Sequence, residues 1–261
     1  MQKIGLLITL GLAGCLTGGL DSEDPGTSTV EEAVTTANRL ASNRLASNRL
    51  ASNRLASNSL SAAALTSSSL IETADGREVF SYIVKCALPS TKSVTVTDSH
   101  GTSYAFAGEI GLAPAWQTTT PTVSERRWVT ACVLARTNYY GVTVQLSMRG
   151  SHPALATNSA ETAAFPAAEG AFYGDLFNPI GQTWFACGSK KWTTAALADA
   201  QRSCTVSPDG VTTMCGFTYT YLCGSAYDVT HSSACAQKIP WTNCKGAGVT
   251  YPETITIFLS N

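Results

Sequence analysis

Charge is scarce in this chain. Only 13% of its 261 residues are charged, and 17 basic against 18 acidic groups leave a net charge of −1. Beyond Thr66 the balance is twelve Lys and Arg against thirteen Asp and Glu. The basic patch of a nucleic-acid binder is therefore missing, and nothing points to an acidic or basic partner. Long apolar runs are also missing: after the first 15 residues none approaches the ~20 residues a membrane-spanning helix needs. Histidine is limited to His100, His152 and His231, scattered along the chain. No two cysteines lie closer than Cys215 and Cys223, whereas zinc sites use close pairs and short histidine spacings. No metal and no cofactor is expected. There is no G-x-S-x-G elbow either, and no catalytic residue is assigned.

What is present begins at the N-terminus. Met1-Gln2-Lys3 carries one positive charge and precedes an apolar run from Ile4 to Ala13. That is the layout of a secretory signal, and the run is too short to span a ~30 Å hydrocarbon core. It ends in Leu12-Ala13-Gly14-Cys15, which resembles the lipobox of bacterial lipoproteins. The resemblance implies a signal peptide over 1–14, and Cys15 as the first mature residue, carrying up to three acyl chains. Each buried CH2 contributes roughly 0.8 kcal/mol, so several chains make a durable membrane anchor where one is marginal. Leu16 is not the Asp that retains some lipoproteins in the inner membrane, which favours an outer-membrane location in the cell envelope.

Nine cysteines less Cys15 leave Cys86, Cys132, Cys187, Cys204, Cys215, Cys223, Cys235 and Cys244. Eight is even, and an exported chain meets an oxidising compartment, so four disulfides are expected. Eight cysteines allow 105 pairings. If the two early helices described below are neighbours, Cys86 meets Cys132 and the other six pair among themselves.

Residues 15–65 read as a lipidated N-terminus and spacer. They contain an identical tandem repeat, Asn38-Arg39-Leu40-Ala41-Ser42, renewed from Asn43, Asn48 and Asn53 and decayed at Asn58-Ser59-Leu60. A step of five turns each Leu by about 140° on a helix and alternates it between faces of a strand. A five-residue period also resembles the pentapeptide-repeat β-helix, but a stack needs several coils to bury a core. The favoured reading is a weakly ordered spacer with solvated arginines.

Residues 66–261 read as one cysteine-rich α+β domain, long enough to bury a core. Apolar Val79, Phe80, Ile83, Val84 and Ala87 predict a helix over 75–88, and the run 124–139 predicts a second, ended by Gly141. Alternation over 93–97 and 103–109 predicts a hairpin around Ser99-His100-Gly101. Strands are expected at 142–148, 171–177, 183–186, 216–222 and 254–259, with a short helix over 193–202. Helices early and strands late predict mostly antiparallel pairing.

Several segments carry a wider resemblance: Asp75-Gly76-Arg77-Glu78, Cys86-Ala87-Leu88-Pro89, Gly111-Leu112-Ala113-Pro114, Trp128 through Arg136, His152-Pro153-Ala154-Leu155, Glu169 through Gly174, and Cys215-Gly216-Phe217. On these the chain resembles cysteine-rich, N-x-L-repeat lipoproteins typical of myxobacteria. The resemblance implies an exported, lipidated and disulfide-bonded protein, and it carries no assigned activity.

Candidate chemistry is sparse. Asp98-Ser99-His100-Gly101 holds triad residue types, but these are also turn residues. Glu169 and Asp175 would lie roughly 20 Å apart on one face of a straight strand, beyond the reach of a glycosidase pair. His152 is a candidate base. Tyr139-Tyr140, Phe172-Tyr173, and Tyr219 with Tyr221 suit either a ligand groove or a core. The sequence favours a membrane-anchored binding or structural module, its protein or glycan partner unidentified. The alternative is an envelope hydrolase assembled from His100, His152, Glu169 and Asp175, and convergence of two of these in an open pocket would favour it.

Overall fold

In the computed structural model a threonine opens each of the two long helices. Thr73 caps α1 (Ala74–Ala87), its hydroxyl accepting from the Gly76 amide at 3.0 Å. Thr122 caps α2 (Val123–Ala135) and completes a capping box with Glu125. The structure describes residues 35–38, 40–41, 44–45, 55, 59–60, 69–224, 232–236 and 239–260. Helix α1 buries Val79, Phe80, Ile83, Val84 and Ala87, the stripe expected from their spacing. Every residue from Trp128 to Ala135 of α2 is buried. The Cys86–Cys132 disulfide joins the two helices.

Between them lies a hairpin of β3 (Ser93–Thr97) and β4 (Ser103–Ala107). Its turn is built as expected: Asp98 Oδ1 accepts the amides of His100 and Thr102, and Gly101 adopts φ +84°. Phe106 meets Phe80 of α1 edge-to-face at 4.8 Å.

The second helix stops four residues earlier than its sequence suggests. After Arg136, β5 (Thr137–Asn138) pairs in parallel with β2 (Leu40–Ala41). The Thr137 carbonyl accepts from Arg202 Nη1 at 2.8 Å instead of continuing a helical ladder. Tertiary partners override local propensity here.

The main sheet has six strands. In spatial order they are β1 (Thr35–Asn38), β6 (Val144–Arg149), β12 (Ile255–Leu259), β7 (Ala167–Asp175), β8 (Thr183–Gly188) and β9 (Thr218–Leu222). All pair antiparallel except β8 with β9. A small hairpin of β10 (Cys244–Gly246) and β11 (Val249–Tyr251) precedes β12. Short helices α3 (Ser159–Ala164) and α4 (Thr194–Asp199) complete the elements used below. The architecture is α+β with mostly antiparallel strands.

Side-chain alternation explains why β7 is buried along its whole length. Phe172, with Ile255, Ile257 and Leu259 of β12, joins the core formed with the helices. Ala171, Tyr173, Phe185 and Phe258 join a second core with Trp241 and Tyr251. A sheet covered on both faces reads as continuous apolar sequence.

The spacer expectation is corrected where the repeat is described. Leu40, Leu45, Leu55 and Leu60 are all at most 2% exposed and belong to the main core. Strand β1 pairs with β6, Arg44 forms ion pairs with Asp75 and Glu78 of α1, and the Leu60 amide donates to the Trp116 carbonyl. The described repeat residues therefore pack with the core of the cysteine-rich region and fall in the same compact unit as it. The five-residue step needs no single helix or strand, because each Leu sits on a different local conformation: Leu40 in β2, Leu45 in a helical turn, Leu55 in a 3-10 turn. Leu50, Cys15 and the segment 1–14 lie outside the described residues. Among the described residues no helix is long and apolar enough to cross a membrane.

Candidate functional site

The end of β8 carries the site. Gly188 closes that strand, and the chain turns through Ser189, Lys190 and Lys191 to Trp192, whose amide donates to the Ser189 carbonyl at 3.2 Å. Two bonds hang this turn from β7: the Ser189 amide donates to the Glu169 carbonyl at 2.9 Å, and Trp192 Nε1 donates to the Ala168 carbonyl at 2.9 Å. Thr193 then caps α4. The opposite wall is Thr205-Val206, and Tyr219 and Leu222 of β9 close the third side. Together they enclose a half-open cavity of about 260 Å³.

Two disulfides hold these walls. Cys187–Cys223 ties the residue before Gly188 to the residue after Leu222, and Cys204–Cys215 ties the residue before Thr205. Gly188 is required by proximity: a Cβ there would lie 2.5 Å from the Thr205 carbonyl oxygen. A third bridge, Cys235–Cys244, packs against the first, with Cys187 Sγ 3.5 Å from Cys235 Sγ. Cys187, Cys223 and Cys235 gather within 4.8 Å as a result, but a sulfur in a disulfide has no thiolate to offer a metal.

The cavity's lining has one charge and two aromatic rings. Lys190 is exposed and makes no hydrogen bond or ion pair among the described residues, and no lining residue is acidic. Lys191 lies 5.8 Å from the centre of the Trp192 ring. Trp192 and Tyr219 are half-buried. Glu169 sits beneath the wall, fully buried, accepting from Thr205 Oγ1 at 3.0 Å and paired with the equally buried Arg202 at 3.0 Å. Its charge is spent on that guanidinium.

Three of the four candidate catalytic side chains are committed elsewhere, and the fourth, His100, stands apart from them on a turn. Glu169 is held by Arg202. Asp175, at the far end of β7, pairs with Arg126 at 3.0 Å; burial pushes its carboxyl pKa up while the guanidinium pulls the other way. The β7–β8 register runs unbroken from Gly170 to Asp175, so no turn brings the two carboxylates together. His152 is half-buried against Trp128, and its Nδ1 accepts from the Ala154 amide at 3.1 Å. Burial lowers its pKa, which suits a neutral ring accepting a bond. His100 sits exposed on the hairpin turn, and His231 lies outside the described residues. Of the aromatic clusters, Phe172 and Tyr173 fill cores, and Tyr139 and Tyr140 form an exposed edge-to-face pair. Tyr219 lines the cavity beside Tyr221.

Sequence reading missed Lys190, Trp192 and Arg202. Gly188-Ser189-Lys190-Lys191-Trp192, directly after a predicted strand, was the available signal: a glycine turn presenting cations and one large ring. Arg202 had no local signal, because its partner is 33 residues away.

The loop following Val206 offers a pH test. Asp209 Oδ1 accepts from the Thr212 amide at 2.7 Å, the Val211 amide at 2.8 Å and Ser207 Oγ at 2.8 Å. These bonds, the Thr212 amide foremost, pull its pKa from 3.8 down to about 2. A depressed carboxylate stabilises the loop above the unfolded value and loses that effect as pH falls through the folded one. The Val211 and Thr212 amide resonances are expected to titrate with a midpoint near 2; a midpoint near 4 would show that these bonds do not form.

No family model, curated protein or solved structure matches the chain.

Proposed function

We propose that the protein is a lipoprotein of the bacterial cell envelope, held on the outer membrane by acyl chains on Cys15, whose domain binds a small ligand rather than catalysing a reaction. The anchor reading rests on Leu12-Ala13-Gly14-Cys15 after a charged and apolar leader. Eight further cysteines joined in four disulfides fit export to an oxidising compartment.

One observation carries the binding reading. The Gly188–Leu222 cavity is open, its walls are cross-linked, and its lining offers a cation that has no partner among the described residues. A binding module gains affinity from walls that need no ordering on association. By contrast, Glu169, Asp175 and His152 are held in structural bonds that a catalytic group would have to break.

The anchor is tested by fractionation. Wild-type protein is expected wholly in the membrane fraction and labelled by a radioactive fatty acid. Cys15→Ala is expected unlabelled. If the wild type takes up no label, the lipid anchor is wrong and the inferred compartment loses its support.

A further inference from the structure

Resting on the reading of this cavity as a ligand site, we infer that its occupant is an acidic sugar: one pyranose ring bearing a carboxylate. Size sets the first bound. At about 260 Å³ the cavity lies just under the ~300 Å³ at which drug-sized ligand pockets begin, so it suits one ring and not a nucleotide or a peptide segment.

The walls set the second. Trp192 and Tyr219 supply two half-buried aromatic side chains, and the indole N–H is already bonded to Ala168, which fixes the ring's plane. Such rings present flat apolar surface to the C–H face of a pyranose. A purely apolar ligand fits less well, because Ser189 and Lys190 place a hydroxyl and an ammonium at the same mouth.

Charge sets the third. Lys190 has no partner among the described residues and Lys191 is beside it, while none of the described lining residues is acidic. Glu169, beneath the Thr205 wall, is neutralised by Arg202. Among the described residues the mouth therefore carries a net positive charge, which favours a carboxylate over a neutral substituent.

The test is saturation-transfer NMR on the detergent-solubilised full chain, with methyl glucuronide, methyl glucoside and acetate as probes. Methyl glucuronide is expected to show saturable transfer to its ring protons and to bind more tightly than the glucoside, with acetate weakest. Lys190→Gln is expected to weaken the glucuronide roughly two- to fivefold, to the glucoside's level, as befits an exposed charge pair. Trp192→Ala is expected to abolish transfer to both sugars, and Trp192→Phe to keep it. Equal binding of the two sugars, or a Lys190→Gln variant with unchanged preference, overturns the acidic-sugar inference and leaves the ligand-site reading standing. Absence of transfer from every probe overturns both. Lys190 is exposed, so its variant folds and keeps the test decisive even if Trp192→Ala does not.

Discussion

Glu169→Gln is expected to cost the domain roughly 3–5 kcal/mol, because it leaves the Arg202 guanidinium buried without its counter-charge. Both side chains are at 0% exposure. Arg202 also donates to the Thr137 carbonyl at 2.8 Å, and Glu169 accepts from Thr205, so the guanidinium has no solvent to turn to. Against a typical domain stability of about 5–15 kcal/mol, such a loss removes a large share. Urea unfolding followed by tryptophan fluorescence measures it. The paired variant Glu169→Leu with Arg202→Met is expected to recover more than half of the loss, because an apolar pair of similar volume carries no charge to desolvate. A single-variant cost below about 1 kcal/mol, the range of exposed pairs such as Arg44 with Asp75, would show that the two groups are hydrated.

Removing the Cys86–Cys132 bridge as Cys86→Ala with Cys132→Ala is the second large effect. The bridge closes a loop of 46 residues, for which loop-closure entropy gives about 4 kcal/mol. For a domain of this size that corresponds to a melting temperature lower by roughly 8–16 °C. Cys235–Cys244 spans only nine residues, and its removal is expected to cost under about 3 kcal/mol by the same relation. Calorimetry of the two double variants decides the matter. Equal losses would mean that the bridges act through native packing rather than through the unfolded chain.

The helices were legible because their signals are local. The α1 stripe repeats within one helix and Glu125 stands in the first turn of α2, although that helix begins at Val123 under a Thr122 cap rather than at 124. The Cys86–Cys132 pairing followed once both helices were placed, since each cysteine lies on a buried face. The repeat was not legible as core. Its leucines reach a common interior from different local conformations, and no regular period describes that path. The early stop of α2 was hidden for a related reason: the Thr137 carbonyl answers to Arg202, 65 residues away.

Of the candidate site, the aromatics of β9 were legible as a choice between groove and core, and Tyr219 lines the cavity. Glu169 looked like chemistry in isolation. Its role depends on a guanidinium that only folding brings beside it. The cavity combines three stretches of chain around two disulfides, and no single window of sequence contains that juxtaposition.

The placement of β12 bears on how the molecule assembles. This strand is last in sequence among those of the sheet, yet it lies between β6 and β7. The strand therefore acts as the sheet's keystone. Without Ile255–Leu259 in place, β6 and β7 each keep an open ladder edge, so the two halves of the sheet cannot join before this strand docks. Pulsed hydrogen exchange during refolding would see the amides of β6, β7 and β12 gain protection together rather than one strand after another.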